Sequence, residues 1–100
     1  MLDEAINRLI SVFQPERIYL FGSQARGDAT SDSDFDLLLV VPSSSEPRYR
    51  RMMKAQAALW GIWVAMDVLV LTHDEFEREK GVVCSLSATV LREGKQLYAA

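Results

Sequence analysis

The stretch from Phe21 to Asp36, FGSQARGDATSDSDFD, decides how this chain is read. A Gly-Ser pair closes the apolar run Arg17-Ile18-Tyr19-Leu20-Phe21, a polar loop follows, and Asp34 and Asp36 then open a second apolar run, Leu37-Leu38-Leu39-Val40-Val41. Side chains alternate along a strand, so Asp34 and Asp36 are predicted to share one face of a sheet, roughly 7 Å apart. Ionised carboxylates at the mouth of a buried strand are costly unless a cation or hydrogen bonds compensate them, and a divalent metal does so most simply. Ser23 to Gly27 suits a short helix with Ser23 at or next to its cap, and free N–H groups at a helix start bind phosphate.

On the N-terminal side, Leu2, Ala5, Ile6, Leu9, Ile10 and Phe13 recur every three or four residues, which predicts a surface helix ending near Pro15. Arg17 to Phe21 is a first strand and Asp34 to Val41 a second. Pro42 and the serines at 43 to 45 break the second strand, and Pro47 suits the first turn of a second long helix. Met52, Met53, Gln56, Ala57 and Trp60 are expected to supply its buried stripe, and Gly61 its end. Ile62 to Leu71 predicts a third strand, apolar throughout except for Asp67. Thr72 and Glu75 have capping-box spacing, which opens a short helix with His73 as its first residue and no catalytic role. Val83 to Arg92 is expected to be a last helix, with Gly94 just past it and Lys95 to Tyr98 a short strand or tail.

A chain of 100 residues predicts one domain, residues 1–100, with a single two-layer core. Half of it is apolar and a quarter charged, which excludes disorder; the net charge of -3 argues against a general nucleic-acid surface but leaves room for a nucleotide. The lone Cys84 forbids an internal disulfide and reads as a small core residue. Acids at the start and the lack of a long apolar span predict a cytoplasmic protein without membrane contact.

Asp67 raises the chemical interest of the first two acids. If its strand lies beside the second, three carboxylates meet on one face, an arrangement suited to two-Mg²⁺ phosphoryl or nucleotidyl transfer. Asp34 and Asp36 would bridge both ions, and Asp67 would hold the one that activates the attacking hydroxyl and could take its proton. The competing readings are Asp34 as a turn residue and Asp67 in a core ion pair with Arg17 or Arg26. Arg48, Arg50, Arg51 and Lys54 read as a solvated helix face, or as a lure for a triphosphate or an acidic partner. Trp60 and Trp63 fit either the core or a partner contact.

Gly22-Ser23, ten intervening residues, Asp34-x-Asp36 and an Asp on a later strand resemble the nucleotidyltransferases of the DNA polymerase β superfamily. The fuller string FGSQARGDATSDSDFDLLLV resembles the minimal nucleotidyltransferases often encoded beside a HEPN-domain partner. That resemblance implies an α/β (α+β) fold, a small mixed sheet with helices packed on one face and an open active-site face. It implies Mg²⁺, two ions, and transfer of a nucleoside monophosphate, AMP from ATP. Gly22 and Ser23 would hold the β- and γ-phosphates, Asp34, Asp36 and Asp67 the metals, and Arg26 either the triphosphate or the loop. Larger relatives add a C-terminal helical domain for base and acceptor. Without one, the base is held loosely or a second chain completes the site, in a homo- or hetero-oligomer. The resemblance therefore implies an antitoxin that adenylylates a HEPN toxin, or one that neutralises it by stoichiometric binding.

Overall fold

The computed structural model describes residues 2–21, 35–62, 66–81 and 86–100. Its elements run α1 (Leu2–Phe13), β1 (Arg17–Phe21), β2 (Phe35–Val41), α2 (Arg48–Ala58), β3 (Met66–Thr72), α3 (His73–Glu79), α4 (Leu86–Glu93) and β4 (Lys95–Ala99). The strands form one mixed sheet in the order β3-β2-β1-β4. β1 is antiparallel to both β2 and β4, and β2 is parallel to β3. A parallel pair needs a long crossover, and α2 supplies it. The four-stranded mixed sheet with helices agrees with the α/β (α+β) expectation.

Alternation along the strands sorts the core into two layers. Leu37, Leu39 and Val41 of β2, with Val68 and Val70 of β3, pack beneath α1 and α2 through Leu9, Ala55 and Leu59. Leu38 and Val40, with Tyr19 and Leu71, meet Phe76 of α3 and Val90 of α4 on the opposite face. β2 is therefore buried on both sides, which explains its unbroken apolar run. The second face is not bare: α3 and α4 cover one part of it, with the Phe76 ring stacked on Tyr19 at 5.8 Å between centroids. The open face is confined to the part away from Phe76.

α2 corrects the sequence reading. Met52 is 42% exposed, Met53 67% and Trp60 85%, whereas Arg51, Ala55 and Leu59 face the sheet. Ala55 lets the helix backbone approach β3, and the Arg51 stem supplies apolar length while its head finds partners. Only 5% exposed, Arg51 is no part of a solvated face. Its Nη1 donates to Val70 O at 2.8 Å and to Glu75 Oε1 at 2.7 Å, and its Nε donates to Glu46 O at 3.0 Å. The expected capping box is present: the Thr72 N–H donates to Glu75 Oε1 at 2.8 Å, and the Glu75 N–H donates to Thr72 Oγ1 at 3.2 Å. One carboxylate thus caps α3 and anchors α2.

Gly61 has φ +87°, the left-handed conformation that ends a helix cheaply only at glycine. Ile62 donates to Leu59 O in the same turn, so it is not strand, and β3 begins at Met66. At the other end of the chain, a Cβ on Gly94 would lie 2.6 Å from Val90 O and 3.0 Å from Leu20 O. Both obstacles are backbone, so the α4-to-β4 turn cannot yield locally.

Gly94→Ala should therefore destabilise the protein by about 2 kcal/mol or more, read as a lower urea midpoint at unchanged slope. A pH effect follows from Glu75. Its hydrogen bond from Arg51 holds its carboxyl near pKa 2, against an ordinary value of 4.5. Because the folded-state value is the lower one, the contribution is complete above about pH 4.5 and is lost as pH falls through about 2. Glu75→Gln keeps the capping geometry but removes the charge. Wild type should exceed it in unfolding free energy by on the order of 2 kcal/mol at pH 7, with the gap closing toward pH 2. A gap independent of pH would mean that packing, not charge, carries the pair.

Candidate active site

The register of the sheet places Phe21, Asp36 and Asp67 in one row across β1, β2 and β3, with Asp36 paired to Phe21 on one side and to Asp67 on the other. Adjacent strands lie about 4.8 Å apart, and the two acids share a sheet face because each stands two residues before a leucine on the Phe76 side, Leu38 and Leu69. Both sit at the starting ends of their strands. Phe76 packs against Leu71, Val40 and Tyr19, nearer the other ends of β2 and β3. Cover and carboxylates thus divide this face between them.

Asp36 is half-buried and Asp67 is exposed. The competing reading of Asp67 in a core ion pair is not met: the odd-numbered side chains of β3 face the α3 side, but α3 covers Leu71 at the far end of the strand and leaves Asp67 exposed. No ion pair involves Asp67 among the described residues. Arg17, one of its two proposed core partners, lies instead 3.7 Å from Glu16 and 4.0 Å from Glu77, donates to the Tyr19 hydroxyl at 3.0 Å and sits 4.9 Å above the Phe76 ring. The other, Arg26, lies outside the described residues, as do Gly22, Ser23, Asp34, Trp63 and Cys84. The chain leaves β1 after Phe21, which stands in the row of Asp36 and Asp67, and re-enters β2 at Phe35, one residue before Asp36.

His73 opens α3 as expected, and its Nδ1 lies 2.5 Å from Glu16 Oε1, well apart from the two aspartates in the fold.

The family model of the nucleotidyltransferase domain matches residues 2–98, nearly the whole sequence. The chain belongs to this nucleotidyltransferase family. A Methanocaldococcus jannaschii protein named as a candidate protein adenylyltransferase is 31% identical over 99 residues, covering 97% of this chain and 94% of that one. Among solved structures, a toxin–antitoxin crystal structure with AMP-PNP aligns at a TM-score of 0.62 and 25% identity, over 98% of this chain and 73% of the other. The MNT antitoxin complex with the tri-AMPylated HEPN toxin of Shewanella oneidensis gives 0.55 and 20%, over 100% and 74%, a likeness of fold. This nucleotidyltransferase thus has MNT–HEPN toxin–antitoxin proteins as structural neighbours, as the resemblance implied.

The donor chemistry at the row suits a hard divalent cation, because Asp36 and Asp67 offer carboxylate oxygens from adjacent strands on one accessible face. Among the described residues no group of three His, Cys, Asp or Glu is placed to hold a metal. Asp36 and Asp67 are two of the three expected acids, and Asp34 is outside the described residues.

Because Asp67 is exposed and lacks an ion pair among the described residues, Asp67→Asn should change metal-free stability by less than about 0.5 kcal/mol. Mg²⁺ with a non-hydrolysable ATP analogue should raise the melting temperature of the wild type by mass action and raise it less in this variant. Asp36→Asn should abolish the rise. An undiminished rise in both variants would remove these acids from the nucleotide site.

Proposed function

We propose that this nucleotidyltransferase transfers AMP from ATP to a hydroxyl of a HEPN-domain toxin and thereby acts as its antitoxin. The observation that carries the reading is the pairing of Asp36 with Asp67 on one open sheet face. Support for the donor comes from the relative named for protein adenylylation and the neighbour with AMP-PNP. Support for the acceptor comes from the AMPylated HEPN toxin in the other neighbour.

In this reading residues 1–100 form one nucleotidyltransferase domain working in the cytoplasm; no helix among the described residues is long and apolar enough to cross a membrane. Gly22 and Ser23 hold the β- and γ-phosphates through backbone N–H groups and the serine hydroxyl, and Arg26 supports the triphosphate or its loop. Asp34, Asp36 and Asp67 would hold two Mg²⁺ ions, which when bound supply charge neutralisation of the triphosphate. Asp67 stands at the rim, where an incoming hydroxyl meets it first, and accepts the hydroxyl proton. The acceptor oxygen forms a bond to the α-phosphorus, the bond from that phosphorus to the α,β-bridging oxygen breaks, and pyrophosphate leaves.

A second reading, a stoichiometric antitoxin, is favoured by the exposed apolar side chains of α2. Mass spectrometry of a candidate HEPN-domain acceptor, after incubation with this protein, Mg²⁺ and ATP, separates the two. Adenylyl adducts are expected with wild type and none with Asp36→Asn, which should still bind the partner. Full neutralisation without any adduct would hand the function to binding alone.

A further inference from the structure

The outer face of α2 carries side chains that the fold does not use. Tyr49, Met53 and Trp60 stand at intervals of four and seven residues and so align along one side of the helix and the turn after it. Tyr49 is 61% exposed, and Met53 and Trp60 more so. Single exposed apolar side chains are ordinary, but three large ones aligned on one side of a helix form a candidate interaction surface.

The Trp60 end of the stripe is tied to α1. Arg8 of α1 donates through Nη1 to Trp60 O at 2.7 Å, and it is itself braced by Glu4 at 3.0 Å. The turn that presents the Trp60 ring is therefore pinned to α1 while the ring itself is solvated. Beside it lies an open cavity of about 500 Å³ lined by Gln56, Leu59, Gly61 and Ile62. A tryptophan on a fixed backbone next to an apolar hollow loses little entropy when a partner covers it, the usual condition for an interface hot spot.

Charge selects the occupant. α2 contains four basic residues and no acid, although the chain as a whole carries a net charge of -3. Arg51 is used inside the fold, and Arg48 pairs with Glu79 at 2.6 Å and Glu75 at 3.3 Å. Lys54 is half-exposed 3.7 Å from Glu46, and Arg50 is exposed, with no ion pair among the described residues. The surface left to a partner is thus an apolar stripe with a cationic margin. Its complement is an amphipathic helix with an apolar stripe and an acidic margin.

The stripe lies on the other side of the sheet from the acids, because α2 packs on the Leu37 face while Asp36 and Asp67 share the Phe76 face, but both border the start of the edge strand β3. The Gln56 side chain donates to Met66 O at 3.1 Å, one residue before Asp67, so the Trp60 end of α2 abuts the start of β3. We infer that the outer face of α2 is the docking surface for an acidic amphipathic helix of the acceptor protein, whose acceptor segment reaches the Asp67 face around the β3 edge. This rests on the proposed transfer to a HEPN partner and adds where that partner is gripped.

Calorimetry of the full-length protein with its HEPN partner tests it, with adduct mass read on the same samples. Trp60→Ala and Met53→Glu should each weaken binding at least tenfold, with melting temperatures unchanged because both side chains are exposed. Arg50→Glu should weaken binding in low salt, and the loss should shrink as salt rises. At limiting partner concentration the adduct yield should fall in step with affinity, and at saturating partner it should recover in Trp60→Ala. If wild type binds and modifies the partner while all three variants bind with wild-type affinity, the docking surface is overturned and the proposed transfer stands. If wild type gives neither complex nor adduct, both readings fall. Sedimentation of the protein alone as a dimer that Met53→Glu dissolves would assign the stripe to a second copy and overturn the acidic helix.

Discussion

The parallel pairing of β2 with β3 is the constraint on which the rest depends, because it sets Asp36 against Asp67. A strand's side chains alternate with a period of two, so a slip of one residue would carry Asp67 to the α1–α2 face and bring Met66 and Val68 out of the core. The hydrophobic alternation that stabilises the sheet and the juxtaposition that makes its chemistry possible are the same fact. Neither can be altered alone.

That pairing is enforced from its far end. Arg51 reaches from the crossover helix to Val70 O and to Glu75, and Glu75 in turn caps α3 directly after β3. The crossover, the end of β3 and the start of α3 are fastened by one guanidinium and one carboxylate. Phe76, positioned by that cap, then closes the second core layer over Tyr19, Val40 and Leu71. The part of the face with the strongest closure is the part away from the acids, which leaves them accessible without weakening the sheet.

Much of this was legible in the sequence, and the exceptions have physical causes. β1 was readable to its exact ends because Gly22 stops a β-rich run, and the capping box at Thr72 and Glu75 was found because its spacing states its hydrogen bonds. The family was readable because Gly22-Ser23, ten intervening residues and Asp34-x-Asp36 stand between two β-rich runs of the sequence. The inner face of α2 was misread because hydrophobicity was taken as a proxy for burial. Arg51 hides a long apolar stem beneath a charge whose partner lies 24 residues on, and no local pattern announces such a partner. A core ion pair for Asp67 stood as a competing reading for a related reason: apolar neighbours specify a strand, but only the placement of α3 decides which end of its face is covered. Of the expected site, the sheet brings Asp36 and Asp67 together, while Gly22, Ser23, Arg26 and Asp34 belong to a segment outside the described residues.

The pairing of β1 with β4 has a bearing on how the chain reaches this state. Arg17 meets Ala99 and Ile18 meets Tyr98, contacts that span most of the sequence, whereas β1 and β2 pair across a much shorter connection. Closing the longer loop costs more entropy before any bond rewards it, so contact order places β4 last in assembly. The β1–β4 ladder also carries an irregularity between Ile18 and Tyr19. In hydrogen exchange the amides of β4 should open ahead of those of β2, making this edge the least persistent part of the sheet. A nascent chain would hold its two facing aspartates in register while still waiting for its fourth strand.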